Sequence, residues 1–153
     1  MADAGPSRAA PILLVEDSFD DIVLTRRAFR KAGIDAPLTV LEDGEQAVAY
    51  LGGGAPFEDR AAHPLPALIL LDWKLPRRNG LEVLTWLRAR DELATVPVVV
   101  LTSSKQEEDV QQAYRAGANS YLQKPVRFDA MIELVQRLHL YWLQTNHPSA
   151  GQR

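Results

Sequence analysis

The 153-residue chain is long enough for one core and too short for two, since single domains span roughly 100–200 residues. A hydrophobic share of 46% with 24% charged residues is that of an ordinary globular protein, and no stretch reaches the roughly 20 apolar residues of a membrane helix, so a soluble protein is expected. The net charge of -3 offers no footprint for nucleic acid, and the lack of cysteine excludes disulfides and thiolate chemistry and fits a reducing compartment, read as the cytoplasm.

Residues 1–10 (MADAGPSRAA) are small and polar, bury too little to offset ordering, and read as a tail with no signal-peptide character. The folded domain is expected over residues 11–145. Its first apolar run, Ile12-Leu13-Leu14-Val15, stops at Glu16-Asp17, and Leu24 with Ala28 marks a helix behind it. Leu38 to Leu41 is a weaker strand, followed by a helix carrying Val48 and Leu51. Gly52-Gly53-Gly54 lacks the continuation of a phosphate-cradling loop and reads as flexible linker.

Leu68-Ile69-Leu70-Leu71 ends in Asp72, and Leu81, Leu84 and Leu87 mark the third helix. Val98 to Leu101 ends in Thr102, after which Ser104-Lys105-Gln106-Glu107 has the pattern of a capping box opening a fourth helix. On that helix Val110, Ala113, Tyr114 and Gly117 follow the i, i+3, i+4, i+7 spacing of a buried stripe. Ser120 to Leu122 is the last strand, Lys124-Pro125 a turn, and Phe128, Met131, Ile132 and Val135 the stripe of the last helix. Residues 146–153 read as a second tail.

Strands apolar at every position are covered on both faces, as in a parallel sheet between helices. Five alternations of strand and helix predict a doubly wound α/β fold of the flavodoxin-like order 2-1-3-4-5. In such a sheet, ligands bind beyond the carboxyl ends of the strands, where Glu16, Asp17, Asp72, Thr102 and Lys124 should converge. Three carboxylates there repel one another unless a cation offsets them, and an all-oxygen set without His or Cys favours Mg²⁺ over zinc. His63, His139 and His147 show no metal spacing and read as surface residues.

An Asp carboxylate attacks phosphorus to give an acyl phosphate when a metal and a lysine neutralise the phosphoryl oxygens, which makes Asp72 the candidate nucleophile. Thr102 would donate a hydrogen bond to the phosphoryl group and Lys124 would pair with it. Bland uses stay open: Asp72 capping its turn, Glu16-Asp17 as solvated loop acids, Thr102 as part of a helix start, and Lys124-Pro125 as an ordinary turn. Two rival functions also remain. One is an aspartate-nucleophile phosphatase of the haloacid-dehalogenase kind, although Lys74 stands where that family has its second Asp. The other is a flavin-binding module, although Glu16-Asp17 would repel its phosphate.

The motifs LLVEDS, LLDWKLPRRNG, VVLTSS and SYLQKP, in this order and spacing, resemble the response-regulator receiver family across roughly Ile12 to Tyr141. The resemblance implies that Asp72 accepts a phosphoryl group from a sensor histidine kinase. It further implies that Asp17 binds Mg²⁺ directly, Glu16 acts through water, the Lys74 backbone carbonyl completes the protein ligands, and Lys124-Pro125 is cis. Thr102 and Tyr121 would be the switch pair that remodels the face of the fourth helix, fifth strand and fifth helix. Such a protein is no enzyme beyond its own phosphorylation and dephosphorylation.

Two departures, the long segment from Gly52 to Pro66 and a last helix continuing through LHLYWLQ, resemble small regulators that partner phytochrome-type histidine kinases. Lys74 replaces an Asn common in the family, and Ser104 stands two residues after Thr102. With no effector domain expected, output would be contact with a downstream protein, relay to a histidine phosphotransfer protein, or drainage of phosphate from a kinase. On the last helix Leu134, Leu138 and Tyr141, joined by Trp142, form a second apolar line read as a homodimer surface.

Overall fold

Four-residue runs buried at every position build the centre of the sheet: Ile12–Val15 (β1) and Leu68–Leu71 (β3) are shielded throughout. The structure is a computed structural model and describes residues 10–145, so both expected tails lie outside the described residues, Ala10 excepted, and so does His147. Leu38–Leu41 (β2), Val98–Thr102 (β4) and Ser120–Gln123 (β5) complete one parallel sheet in the order β2-β1-β3-β4-β5. Ile12 lies opposite Leu38 on one side and Leu68 on the other. The expected flavodoxin-like order is the one found.

Five helices, Phe19–Lys31 (α1), Gly44–Gly52 (α2), Gly80–Arg88 (α3), Glu107–Ala116 (α4) and Phe128–Leu138 (α5), cover the two faces. Alternation along β1 assigns the layers. Leu13 and Val15 join Ala47, Leu51, Leu84, Leu87 and Ala113 in one cluster under α2, α3 and α4. Ile12 and Leu14 join Ala28, Phe29, Met131 and Val135 in the other, under α1 and α5. Removing a buried Leu from either layer would cost about 2–5 kcal/mol in lost transfer energy plus cavity.

Two local expectations about α4 are corrected. The capping box at Ser104 does not form, because Ser104 donates its hydroxyl to Asp109 Oδ2 at 2.6 Å and α4 opens only at Glu107, with Gln106 as an N-cap lacking a side-chain bond. The reciprocal box belongs to α3, between Asn79 and Glu82. The stripe on α4 is also narrower than its spacing implied: Ala113 is buried, Tyr114 is half exposed, and Gly117 is the C-cap at φ 108, where a Cβ would be strained.

The segment after α2 is fastened, not a free linker. Arg60 donates to the carbonyls of Tyr50 (2.7 Å), Leu51 (2.7 Å) and His63 (3.1 Å), satisfying the end of α2, while Tyr50 donates its hydroxyl to the Pro64 carbonyl at 2.7 Å. The rings of Tyr50, Phe57 and His63 pack together, so His63 is part of this local core and not a plain surface residue. At the other end of the domain α5 runs on as a π-helical segment, His139–Thr145, which is the extension of the last helix expected from LHLYWLQ.

Candidate functional site

Because all five strands run parallel, the residues that end them meet at one rim. Glu16 is fixed just after β1 by its amide, which donates to the Leu41 carbonyl of β2 at 2.9 Å. The Asp72 amide donates to the Val15 carbonyl at 3.0 Å, which sets the end of β3 against the end of β1. The Lys124 amide donates to the Thr102 carbonyl at 2.8 Å and ties the end of β5 to that of β4. With Leu71 of β3 opposite Val100 of β4, backbone register brings all five strand ends together before any side chain is considered.

The side chains complete the convergence. One carboxylate oxygen each from Glu16, Asp17 and Asp72 lies within 4.8 Å of the others, Glu16 and Asp72 buried and Asp17 exposed. Asp72, only 6% exposed, accepts the Lys74 amide on Oδ1 at 3.3 Å and Lys124 Nζ on Oδ2 at 3.2 Å. Lys124 Nζ also lies 2.5 Å from Glu16 Oε1 and 2.8 Å from Asp21 Oδ2.

Asp21 is a member of this cluster that the sequence reading missed. Its position in the first turn of α1, four residues past Asp17, is the available signal, but acids there are ordinarily explained by the helix dipole.

Three carboxylates, those of Glu16, Asp21 and Asp72, thus share one ammonium, with Asp17 beside them. Burial pushes the Glu16 carboxyl up to about 7, against the Lys124 and Ser18 hydrogen bonds that lower it, and the Asp72 charge adds to the rise. Burial alone would lower Lys124, yet its bonds to Asp21 and Glu16, with the charge of Asp72, hold it above its ordinary value. The remaining negative charge and the all-oxygen donors suit a hard divalent cation held by Glu16, Asp17 and Asp72.

Thr102 is buried at the end of β4 and accepts the Ser104 amide on Oγ1 at 3.4 Å, so its hydroxyl oxygen faces this loop. Tyr121 packs against the core beneath α3 and α4 and donates its hydroxyl to the Ser104 carbonyl at 2.9 Å. The Lys74 side chain turns to α4, where Nζ lies 3.1 Å from Asp109 Oδ2. The Lys124-Pro125 bond is not cis, correcting that expectation; the cis bond among the described residues is Ala55-Pro56.

The four residues read as a dimer surface divide. Leu138 is 6% exposed and belongs to the core beneath α1 and α5, and Leu134 and Trp142 are half-buried against the same core. Tyr141 is 54% exposed and stacks edge-on against Trp142 at 4.8 Å. Together the four line a pocket of about 430 Å³ beside β5, with Leu122 and Arg137.

The family model of the response regulator receiver domain matches residues 12–136, from β1 into α5. The response regulator Rcp1 of Synechocystis sp. is 40% identical over 134 residues, which cover 88% of this chain and 89% of Rcp1. Its Mn²⁺-bound crystal structure superposes with a TM-score of 0.82 at 38% identity, over 93% of this chain and all (100%) of that one. The probable methanogenesis regulatory protein FilR2 of Methanothrix harundinacea is 39% identical over 139 residues, 88% of this chain and 84% of its own. The phosphorylated cyanobacterial phytochrome response regulator RcpA superposes with a TM-score of 0.84 at 32% identity, covering 92% of this chain and 99% of its own. A match that begins with the first buried strand and runs into the last helix admits one assignment: the chain belongs to the response regulator receiver domain family of two-component signalling and is similar to its phytochrome-associated members.

Proposed function

We propose that this receiver domain accepts a phosphoryl group on Asp72 from a sensor histidine kinase, with Mg²⁺ held by Glu16, Asp17, Asp72 and the Lys74 backbone carbonyl. The observation that carries the reading is the buried Asp72 carboxylate, with Lys124 Nζ at 3.2 Å and two further carboxylates within 4.8 Å. Rcp1 with Mn²⁺ and RcpA in its phosphorylated form are the relatives that support it. The likeness to phytochrome-associated regulators makes a phytochrome-type kinase the first partner to test.

In the transfer, the phosphorus–nitrogen bond of the kinase phosphohistidine breaks as an Asp72 oxygen bonds to phosphorus, and the imidazole leaves with its electron pair. Mg²⁺, when bound, neutralises charge on the phosphoryl oxygens. Lys124, which already bonds Asp72 Oδ2, pairs with the phosphoryl group. Thr102, at the neighbouring strand end, gives up the Ser104 amide and donates its hydroxyl to the new oxygens. Its partner in the switch is Tyr121, bonded through Ser104 to the same loop. The population shift that follows equals the difference in phosphoryl binding between two packings of this loop.

The domain then acts by contact in the cytoplasm, as a homodimer meeting a downstream protein or a histidine phosphotransfer protein. The deciding experiment incubates the protein with a small-molecule phosphodonor, with and without Mg²⁺, and weighs it intact beside Asp72→Asn. One Mg²⁺-dependent phosphoryl adduct, missing from the variant, is expected. Equal labelling of both proteins overturns the reading, and steady hydrolysis of unrelated phosphate esters would favour a phosphatase instead.

A further inference from the structure

Outside the rim cluster, one buried carboxylate has no part in the chemistry so far described. Asp109, in the first turn of α4, accepts the Ser104 hydroxyl at 2.6 Å on Oδ2 and holds Lys74 Nζ at 3.1 Å on the same oxygen. The Ser104 hydrogen bond outweighs burial and, with the Lys74 ammonium, keeps this carboxyl below its usual range, so it is charged at neutral pH.

Lys74 belongs to the acceptor loop: its amide donates to Asp72 Oδ1 at 3.3 Å, while its side chain is 61% exposed. Ser104 gives its carbonyl to the Tyr121 hydroxyl and its amide to Thr102 Oγ1. One carboxylate therefore joins the acceptor loop, the β4–α4 loop and the start of α4.

A phosphoryl group on Asp72 adds about −1.5 to −2 charge two residues from Lys74, and the ammonium then has two anions to choose between. We propose that Asp109 is a positioning residue of the phosphoryl site, competing with the phosphoryl group on Asp72 for the Lys74 ammonium. Phosphorylation draws Lys74 off Asp109 and leaves that carboxylate with the Ser104 hydroxyl as its side-chain partner. The exchange links the acceptor to α4 through an ion pair, in parallel with the Thr102–Tyr121 route, and it rests on the reading of Asp72 as acceptor.

Calorimetric titration of fluoroberyllate, a phosphoryl mimic, in excess Mg²⁺ tests the competition across a double-mutant cycle. Asp109→Asn keeps an acceptor for Ser104 and removes the charge; it should bind the mimic about two- to fivefold tighter, the size of an ion pair with one exposed partner. Lys74→Met keeps the backbone carbonyl and tests the claim without substituting a residue of α4; it should bind more weakly. In the Lys74→Met background, Asp109→Asn should change nothing. Equal gains from Asp109→Asn in both backgrounds, or an affinity unaltered by Lys74→Met, overturn the competition. Failure of the unsubstituted protein to bind more tightly than Asp72→Asn overturns the acceptor reading itself, and the competition with it.

Discussion

Lys124 Nζ lies 2.5 Å from Glu16 Oε1, and this contact lowers the Glu16 carboxyl by less than burial raises it. The ammonium is divided among Glu16, Asp21 and Asp72, and burial still lifts the Glu16 carboxyl to about 7 from 4.5. Between those values the folded protein holds a proton that the unfolded chain has released.

Stability without a divalent ion should therefore fall as pH rises through that window. Mg²⁺ binds the carboxylate form, so the stabilisation it adds should grow across the same range. Thermal melts at about pH 5.5 and about pH 8, with and without Mg²⁺, check both statements; the window follows from the Glu16 shift. A Mg²⁺-induced rise in Tm that shrinks toward pH 8 would contradict the assignment of this cluster as the metal site.

Gly80 holds the acceptor loop in place through closeness. A Cβ there would stand 2.7 Å from the Asp72 carbonyl and 2.7 Å from the Trp73 ring, and the Gly80 amide bonds the Trp73 carbonyl at 3.1 Å. Gly80→Ala must displace the segment that carries the acceptor, at about 1–3 kcal/mol of stability. Mg²⁺ affinity and the yield of phosphoryl adduct should fall with it. Asn79→Ala next door is the control: it removes the α3 cap for about 1 kcal/mol and should leave adduct yield unchanged.

The sheet was legible because its three central strands are apolar on both faces and end at polar residues, so periodicity, order and rim could all be read from Ile12, Leu68 and Val98 onward. The motif residues Glu16, Asp17, Asp72 and Lys124 do meet. Polar choices among neighbours were not legible. Ser104 satisfies the spacing of an N-cap, but Asp109 offers its hydroxyl a charged acceptor and takes it. Asp21 was passed over and Leu138 misplaced for a related reason: one lies on a helix start where acids are common, the other on a helix with two apolar lines, and three-dimensional neighbours decide which is spent inside.

Arg88 gives a prediction about stability alone. Its partly buried guanidinium donates to the carbonyls of Gly117, Leu93, Ala94 and Val96 and to Asn119 Oδ1, which joins the end of α3 to the α4–β5 turn. Burial lowers its pKa, but a guanidinium stays charged at any pH the protein survives. Arg88→Ala leaves several carbonyls without their donor and should cost about 2–4 kcal/mol, with Arg88→Lys recovering only part because an ammonium lacks the fork. Urea denaturation measures this loss. A change under about 0.5 kcal/mol would mean that water replaces the guanidinium at these carbonyls.

The second apolar line of the last helix separates into a core part and a surface part, and substitutions can tell them apart. Leu138 is enclosed by the layer beneath α1 and α5, so Leu138→Ala should cost about 2–5 kcal/mol and melt the fold early. Leu140 and Tyr141 are 58% and 54% exposed on the π-helical segment, where a lone chain gains little from them and a second copy can bury both. In the proposed homodimer, Tyr141→Lys should therefore halve the mass seen by light scattering at micromolar concentration and leave the monomer's unfolding free energy within about 0.5 kcal/mol. A monomeric mass for the unsubstituted protein, both before and after treatment with phosphodonor, removes the homodimer.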